Sequence, residues 1–405
     1  MATIRRGVLG WGILLALAVL TGPTGAAAQA PIKVGSINSF SGLAAAFTVP
    51  ERLGEELAAE QANASGGVLG GRKIVLIARD DKFRPDEGIK QAQELVLQEK
   101  VDFLIGTLSS AVALGVSDFA KKQKALYLVG EAQTDALTWD RGHRYVFRVR
   151  PNTYMVGRAL AERAAKLPHK RWVNIGPNYE YGRKTWESFV TRLKELKPDV
   201  QVVAEHWPKP GEGEYGAYIN SILQAKPDAV FTSLFGADWA NFVKQASAFE
   251  MFQKTFFVGM AGGLPEFAEP LGKEQPQGMI ADAYPWQLID SPAHKAFVDA
   301  YRKKANTHPV YGSLIGYINM TALIEGIKKA GTTDTEKVID ALEGLTISTP
   351  VGPVTFRADD HQSTLGAWIG ISRYDAARSL ATVADWEYIA GEKHPPTKTW
   401  RDLWK

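Results

Sequence analysis

The feature that most constrains the fold of this chain is a regular alternation of short β-branched runs with longer amphipathic ones. Residues 32–37 and 73–79 have the character of strands, whereas residues 51–64 and 85–99 carry apolar side chains at helical spacing. Repeated strand–helix–strand units require right-handed crossovers and form a parallel sheet covered by helices on both faces. Further strands at 101–106, 125–129 and 145–149 and a helix at 111–122 continue the pattern.

The alternation restarts after Pro151, which breaks the first series. The predicted strands of the second series are 172–176, 201–206, 228–235, 255–260 and 279–284, with helices at 183–196, 216–225 and 239–250. Three more helices, at 292–306, 311–329 and 335–345, and strands at 354–357, 367–373 and 382–389 follow. Since 405 residues exceed the usual size of one domain, the sequence predicts an α/β fold with two doubly wound lobes.

The first 28 residues have the layout of a secretory signal peptide. Arg5 and Arg6 form a basic start, residues 8–20 form an apolar segment, and a run of alanines at 26–28 supplies small residues for cleavage. The apolar segment is shorter than the ~20 residues that span a bilayer, although an uncleaved anchor is the alternative. The lack of cysteine excludes a lipid-anchored N-terminal cysteine, and we expect export to the periplasm without a lipid anchor.

The balance of charge argues against a nucleic-acid or anionic-membrane partner. The chain has 47 basic and 44 acidic residues, and its formal charge of +3 becomes +1 (45 minus 44) once Arg5 and Arg6 are removed. Proteins that bind nucleic acid usually carry a clear basic excess. The lack of cysteine excludes disulfides, thiolate metal sites and a cysteine nucleophile.

Common catalytic and cofactor motifs are missing from the sequence. It contains no phosphate-binding Gly-x-x-x-x-Gly-Lys-Ser/Thr loop, no His-Glu-x-x-His motif and no Gly-x-Ser-x-Gly elbow. The glycine-rich run 66–71 lies between a helix and a strand, an order that favours a helix cap and a turn. The seven histidines lack metal-ligand spacing. We therefore expect no cofactor, no metal and no enzymatic activity.

Candidate binding residues lie where the predicted strands end, because ligands of open α/β sheets bind at the carboxyl ends of strands. Ser109 and Ser110 precede a helix, whose free amides together with the hydroxyls can hold an anion. The alternative for Ser109 is a simple helix cap. For Phe235 the alternative is packing in the core, whereas Tyr181 precedes a glycine at a strand-to-helix junction, which favours a site.

Several of these segments together resemble one known family, the type I periplasmic binding proteins that serve branched-chain amino acid ABC transporters. The similar segments are 32–35, 66–74 and 351–356, the acidic pair Asp80-Asp81, and the pairs Ser41-Gly42, Ile105-Gly106, Ser109-Ser110 and Tyr181-Gly182. The resemblance covers about residues 31–375. It implies two Rossmann-like lobes joined by a three-strand hinge, with a ligand trapped between them and delivered unchanged to a membrane permease.

The resemblance also implies a division of the chain into lobes. Residues 29–149 and 287–345 are expected to form lobe 1, and residues 150–286 and 346–374 are expected to form lobe 2. The tail, 375–405, is not assigned to either lobe.

The ligand site of the family can be transferred only where residues match. Its carboxylate-binding loop corresponds to Ser109 and Ser110. Amino-acid binders of the family place a glutamate after the strand at 255–259 to pair the ligand's ammonium group, but this chain has Met260 there. A buried ammonium group without a counter-charge costs several kcal/mol. Glu131 is the one acid that compensates if it faces the cleft, and the alternative is a solvent-facing loop acid. The full candidate set is Phe40, Ser41, Phe47, Ser109, Ser110, Glu131, Ala132, Gln133, Thr134, Tyr181, Phe235, Ala261 and Gly262.

The leading hypothesis is a monomeric binding protein that traps a small, mostly apolar carboxylate, with an aromatic acid favoured, and delivers it to permease subunits in the inner membrane. Its basis is the matching carboxylate loop, the missing ammonium partner and the aromatic residues near the strand ends, Tyr179 among them. One alternative is a branched-chain amino acid or amide binder, or a sensing relative that acts on a receptor. A secreted α/β enzyme is the other, but no serine has an evident histidine partner.

Overall fold

The computed structural model describes residues 1–3, 30–397 and 399–403. The predicted signal peptide, residues 1–28, lies outside the described residues except for its first three positions. Within the described ranges, no helix combines the length and apolar character that crossing a membrane requires.

The first sheet is parallel throughout and contains five strands. They are β1 (Ile32–Asn38), β2 (Ile74–Asp80), β3 (Phe103–Gly106), β4 (Tyr127–Val129) and β5 (Val146–Arg148). Their order is β2-β1-β3-β4-β5, so the chain reverses direction of winding at β1. Strands β3 to β5 are buried along their whole length, as expected for a sheet covered on both faces.

The helices of the first series are α1 (Ala45–Ala64), α2 (Pro85–Gln93) and α3 (Ser110–Gln123), and α2 continues into a π-helical turn at Glu94–Gln98. Helix α1 starts six residues before the predicted start at residue 51 and contains Pro50. The reason is Phe47, which packs 5.8 Å from Phe267 and 6.4 Å from Tyr311 between ring centroids. Burial of this ring offsets the hydrogen bond that Pro50 removes.

The second sheet has a parallel core and an antiparallel edge. Its strands are β6 (Arg171–Ile175), β7 (Gln201–His206), β8 (Ala229–Thr232), β9 (Phe256–Gly263), β10 (Ile280–Ala283), and later in the chain β13 (Ala367–Asp375) and β14 (Leu380–Ile389). The order is β14-β13-β10-β9-β8-β6-β7. Strand β13 runs antiparallel to both of its neighbours, β10 and β14. The predicted α/β fold with two parallel-sheet lobes is therefore confirmed.

The helices of the second series are α4 (Thr153–Ala164), α5 (Glu180–Leu196), α6 (Gly216–Ala225), α7 (Gly236–Ser247), α8 (Met251–Lys254) and α9 (Pro265–Ala268). Helix α4 was not predicted from the sequence, because Pro151 was interpreted only as a break. Pro151 instead precedes the N-cap residue Asn152, whose side chain accepts a hydrogen bond from the backbone N–H of Met155.

The remaining elements are α10 (Pro292–Ala305), α11 (Tyr311–Ala330), α12 (Thr335–Leu342), the hairpin β11 (Thr346–Thr349) and β12 (Gly352–Thr355), and α13 (Trp400–Leu403). Helix α11 packs closely along α1 of the first series. A Cβ on Gly54 would lie 2.1 Å from the backbone oxygen of Ser313, and one on Gly316 would lie 2.0 Å from that of Glu51. Glycine at both positions lets the two backbones approach.

The exact lobe boundaries stay a prediction, but two segments have informative contacts. The stretch before β13, predicted to belong to lobe 2, contacts the first sheet: Gln362 accepts a hydrogen bond from Arg148, and the His361 ring stacks on Phe147 at 3.8 Å. The tail contributes β14 to the second sheet and then returns, with the Trp400 ring 5.4 Å from His361.

Candidate functional site

A cavity lies between the two sheets, at the carboxyl ends of their strands. It contains about 380 Å³ of unfilled space. From the first series it is lined by Phe47, Leu108, Glu131, Gln133 and Arg150, and from the second by Tyr179, Tyr181, Phe235, Met260, Ala261, Leu264 and Phe267. This position agrees with the general rule for ligand sites in open α/β sheets.

Aromatic side chains form a continuous wall of the cavity. The Tyr181 ring lies edge-on to Phe235 at 5.7 Å, and Phe235 lies 6.4 Å from Phe267. Phe267 in turn stacks on Phe47 at 5.8 Å, which joins the wall to the first lobe. Tyr179 extends it on the other side, 5.9 Å from Tyr181. Such a surface offers apolar area and ring edges to a ligand at little entropic cost.

The polar end of the cavity is built around Arg150, which follows β5. Its guanidinium lies between two rings, 5.1 Å from the centroid of Phe47 and 4.8 Å from that of Tyr311. Nη1 donates a hydrogen bond to Glu131, and Nη2 lies 3.7 Å from a carboxylate oxygen of Asp282. Because Glu131 follows β4 and Asp282 lies on β10, Arg150 links both lobes.

Burial raises the pKa values of the acids around Arg150. Loss of water raises the pKa of Glu131 to about 8 and those of Asp282 and Glu266 to about 7, although the charge of Arg150 opposes the shift in each case. Glu266 accepts hydrogen bonds from the backbone N–H groups of Tyr311 and Gly312 at 3.2 and 3.3 Å. The acids that face Arg150 therefore exchange protons near neutral pH.

The two lobes touch across the cleft, so the structure is a closed form. Thr134 Oγ1 donates to Glu180 at the start of α5 at 2.8 Å. The Phe83 ring, which follows β2, lies 5.7 Å from Tyr179. A Cβ on Gly236, at the start of α7, would lie 2.4 Å from the backbone oxygen of Leu43. This close approach, together with a φ of +57°, requires glycine there.

A wider groove of about 900 Å³ lies beside α4 and α5. Four of its charged lining residues already form ion pairs: Lys184 lies 3.8 Å from Asp135 and 3.5 Å from Glu187, and Arg158 pairs with Glu195. Among the described residues, no group of three or more histidine, aspartate or glutamate side chains could hold a metal ion. We therefore assign the candidate site to the cavity between the sheets.

Six of the predicted site residues line the cavity, namely Phe47, Glu131, Gln133, Tyr181, Phe235 and Ala261. The two serines of the predicted carboxylate loop are buried but lie outside the lining. Ser110 Oγ accepts a hydrogen bond from the backbone N–H of Thr134 at 3.2 Å. Ser109 occupies the N-cap of α3 without a capping hydrogen bond from its side chain. Their contact with a ligand stays a prediction.

The other five candidates also lie outside the lining of this closed form. Ser41 is exposed and donates to Asp80 at 2.7 Å, and the Phe40 ring lies under the guanidinium of Arg52 at 5.2 Å. The backbone N–H of Ala132 donates a hydrogen bond to the backbone oxygen of Thr107, and Thr134 Oγ1 donates to Glu180. The backbone oxygen of Gly262 accepts a hydrogen bond from Gln275 Nε2.

The candidate set of the sequence analysis lacks six lining residues, which are Leu108, Arg150, Tyr179, Met260, Leu264 and Phe267. Arg150 had a usable signal, since it directly follows the predicted strand 145–149 and stands directly before Pro151. Tyr179 and Met260 also stand at the strand ends considered there. Leu264 and Phe267 follow β9, at the N-cap and within the four-residue helix α9, which is too short to show a periodic pattern. Only the fold brings them to the site.

Comparison with known proteins gives consistent results over most of the chain. A family model described as periplasmic binding protein matches residues 31–372. The chain is 30% identical over 354 residues to Leu/Ile/Val-binding protein homolog 7 of Brucella suis biovar 1 (strain 1330), which covers 82% of this chain and 86% of that relative.

Two solved structures illustrate the similarity of the fold. One is an amino acid ABC transporter substrate-binding protein from Pseudomonas fluorescens Pf-5, with 24% identity, a TM-score of 0.79, and coverage of 89% of this chain and 96% of that chain. The other is an ABC transporter solute-binding protein from R. palustris in complex with benzoate, with 22% identity, a TM-score of 0.78, and coverage of 89% and 97%.

The family model spans the first sheet, the second sheet apart from β14 and the end of β13, and every residue that lines the cavity. The resemblance inferred from the sequence is thereby confirmed, and so is the expectation that the chain binds a solute without transforming it. The chain belongs to the periplasmic binding protein family and is a non-enzymatic solute-binding protein.

Proposed function

We propose that this protein traps a small, mostly apolar carboxylate, with an aromatic acid as the favoured class. The observation that carries the proposal is the composition of the cavity: a wall of five aromatic rings with the guanidinium of Arg150 at its polar end. Arg150 is the one cation among the described lining residues. Guanidinium groups hold carboxylates through two parallel hydrogen bonds, and aromatic rings pack well against a ring-shaped body.

A solved relative supports the same class of ligand. The R. palustris relative, with similar fold, was solved with benzoate. Its identity of 22% supports a shared fold, and its ligand supplies a chemical class to test.

The proposed mechanism is closure of the lobes around the ligand. Residues of both lobes line the cavity, so a bound molecule contacts both and shifts the population toward the closed form. We further propose that the closed protein acts as a monomer in the periplasm after removal of residues 1–28, and that it delivers the ligand to permease subunits of its ABC transporter in the inner membrane.

A ligand panel tests the proposal directly. Thermal unfolding and titration calorimetry would be measured with benzoate, 4-hydroxybenzoate and cinnamate, and with leucine and valine. Benzamide serves as the matched uncharged control for benzoate. We expect the aromatic acids to raise the unfolding temperature and to bind more tightly than benzamide. Stabilisation by leucine or valine but not by any of the acids would reject the proposal.

A branched-chain amino acid or an amide is the second candidate, and one observation favours it. Glu131 lines the cavity, and its Oε1 is buried without a hydrogen-bond partner among the described residues. This oxygen can accept a hydrogen bond from an ammonium or amide group. Leucine and 4-methylpentanoate, which has the same carbon skeleton without the amine, distinguish the two: an amine-binding site prefers leucine.

A further inference from the structure

The polar end of the cavity contains more carboxyl groups than basic groups. Arg150 faces three carboxyl groups, those of Glu131, Asp282 and Glu266, whose charges act on one another. All four residues are buried, with exposed fractions of 5, 1, 2 and 7% in that order. One guanidinium balances one carboxylate, so a fully ionised set leaves two negative charges in a dry site. An anionic ligand would add a third.

Two atoms of this group have unused bonding capacity. Arg150 Nε and Glu131 Oε1 are both buried and have no hydrogen-bond partner within the described part of the chain. Nη2 of Arg150 is also 3.7 Å from Asp282, which is longer than a hydrogen bond. The guanidinium therefore has N–H donors to offer. A protonated Glu131 would add an O–H donor beside them.

We propose that Arg150 holds the carboxylate of the ligand, and that Glu131 takes up one proton from solvent as the anion binds and donates it in a hydrogen bond to the ligand. The inference rests on the proposed function, because it requires an acidic ligand. No covalent bond of the ligand changes; the one transfer is of a proton from the acid form of the buffer, through solvent, to a Glu131 oxygen, which leaves the buffer base behind. The proton offsets the charge of the ligand, which otherwise would be buried without compensation.

The titratable groups around the site determine the free energy of ionising Glu131. On α1, Glu51 is buried, with its own pKa raised by burial and by Glu131, and Glu55 lies behind it with Arg52 nearby. The other titratable groups that sense these charges are phenols: Tyr181 on α5, Tyr284 after β10, Tyr301 on α10 and Tyr311 on α11. Acids and neutral phenols thus surround Arg150.

The sign of the pH dependence follows from burial. In the closed form the pKa of Glu131 is raised to about 8, whereas a carboxyl group in an open, wet cleft has a pKa of about 4. The closed form therefore holds more protons than the open form in the window between these values, and an added anion raises the pKa of Glu131 further. Binding of an acid is then accompanied by proton uptake, and it weakens as the pH rises through the upper end of the window.

Calorimetry with benzoate measures this proton directly. Titrations of the purified protein at pH 7.5 in phosphate and in Tris, two buffers with different ionisation enthalpies, yield the number of protons bound with each benzoate. We expect close to one proton. We also expect the association constant to fall by up to about tenfold per pH unit above pH 8.

Two variants and one ligand control make the test specific. Glu131→Gln is expected to take up no proton with benzoate and to lose most of the pH dependence. Asp238→Asn changes a buried acid outside the lining, which accepts from the backbone N–H of Gly211 at 2.8 Å, and is expected to keep the proton uptake. Benzamide, which adds no charge, is expected to take up fewer protons than benzoate, because only closure and not a ligand charge raises the pKa of Glu131. The difference between the two ligands in wild-type protein therefore gives a result if Glu131→Gln does not fold.

The outcomes separate this inference from the proposed function. Benzoate binding without proton uptake overturns the inference and leaves the function intact. If the folded Glu131→Gln variant still takes up a proton when benzoate binds, the proton is not taken up by Glu131, and that assignment is overturned. If none of the aromatic acids binds, the proposed function fails, and the inference fails with it.

Discussion

On the side of the first sheet, the cavity presents a guanidinium, a carboxyl group and a carboxamide, whereas the side of the second sheet is almost entirely apolar. Arg150, Glu131 and Gln133 all follow strands β4 and β5. Tyr179, Tyr181, Phe235, Met260, Ala261, Leu264 and Phe267 form the opposing surface.

The two sides also hold their residues in different ways. The polar side is fixed by hydrogen bonds, such as that from Gln133 Nε2 to the backbone oxygen of Pro151 at 3.3 Å. The apolar side is fixed by ring packing among Tyr181, Phe235 and Phe267. Under the proposed function, this difference means that the first lobe binds the charged group of the ligand through directional hydrogen bonds, and that the second lobe binds its apolar part through buried area. Neither half is a complete site.

The largest effect is expected from removal of the cation on the polar side. Replacing Arg150 by glutamine should weaken benzoate binding by roughly 10- to 150-fold, the equivalent of about 1.5–3 kcal/mol for a charge-assisted hydrogen bond, and affect benzamide much less. It should also lower the unfolding temperature, because Glu131 and Asp282 lose their buried partner. Titration calorimetry and thermal unfolding measure the two effects.

The double variant R150Q/E131Q is the matched control for stability. It removes both charges of the pair and should recover part of the lost unfolding temperature without recovering benzoate affinity. An R150Q protein that binds benzoate as tightly as wild type would contradict the role of the polar side.

A moderate effect is expected on the apolar side. Phe235→Leu keeps an apolar side chain but loses ring packing, which is worth about 0.5–1.5 kcal/mol, so binding of benzoate should weaken by about 2- to 12-fold. Phe40→Leu is the control, because this ring lies under Arg52 and outside the lining. Equal losses in both variants would mean that the wall does not contact the ligand.

A smaller effect is expected from the serines that precede α3. Ser110→Ala removes the hydrogen bond from Thr134, which is worth about 1 kcal/mol, and should weaken benzoate and benzamide alike by about fivefold. Ser109→Ala is its neighbour control, since Ser109 makes no capping bond. A loss that is much larger for benzoate than for benzamide would instead support the carboxylate loop predicted from the sequence.

The smallest effect is expected from Ser41→Ala. This exposed residue bonds Asp80 outside the cavity, and exposed substitutions usually change stability by less than about 0.5 kcal/mol. Benzoate affinity should therefore stay within about twofold of wild type. A tenfold loss of benzoate affinity would show that first-lobe residues outside the cavity lining contribute to the ligand site.

The agreement between sequence and structure is best for regular elements. Periodicity alone predicts β7 and α6 at their observed bounds, because these elements carry a clear local pattern. It fails at Pro50, where the predicted helix begins one residue after the proline, and at Pro151, which was interpreted as a break. In the first case burial of Phe47 offsets the missing hydrogen bond, and in the second Asn152 caps a new helix.

For the site, the strand-end rule brings Glu131, Tyr181 and Phe235 together correctly, since parallel strands end at one edge of a sheet. The rule does not indicate which way a loop side chain points. Ser110 follows a strand, as predicted, yet its hydroxyl accepts from Thr134 instead of lining the cavity. Arg150 was passed over because its significance depends on Glu131 and Asp282, which are distant along the chain.

The sequence by itself determined the α/β class, the repetition of the pattern in two lobes and the chemical character of the loops, because these follow from spacing and residue type within short windows. Only the tertiary structure decided that one guanidinium from the first lobe faces acids of both lobes and lies against the ring of Phe47 in the aromatic wall. The physical reason is that the charge balance of a buried site depends on distances between atoms, and closure of the two lobes sets those distances.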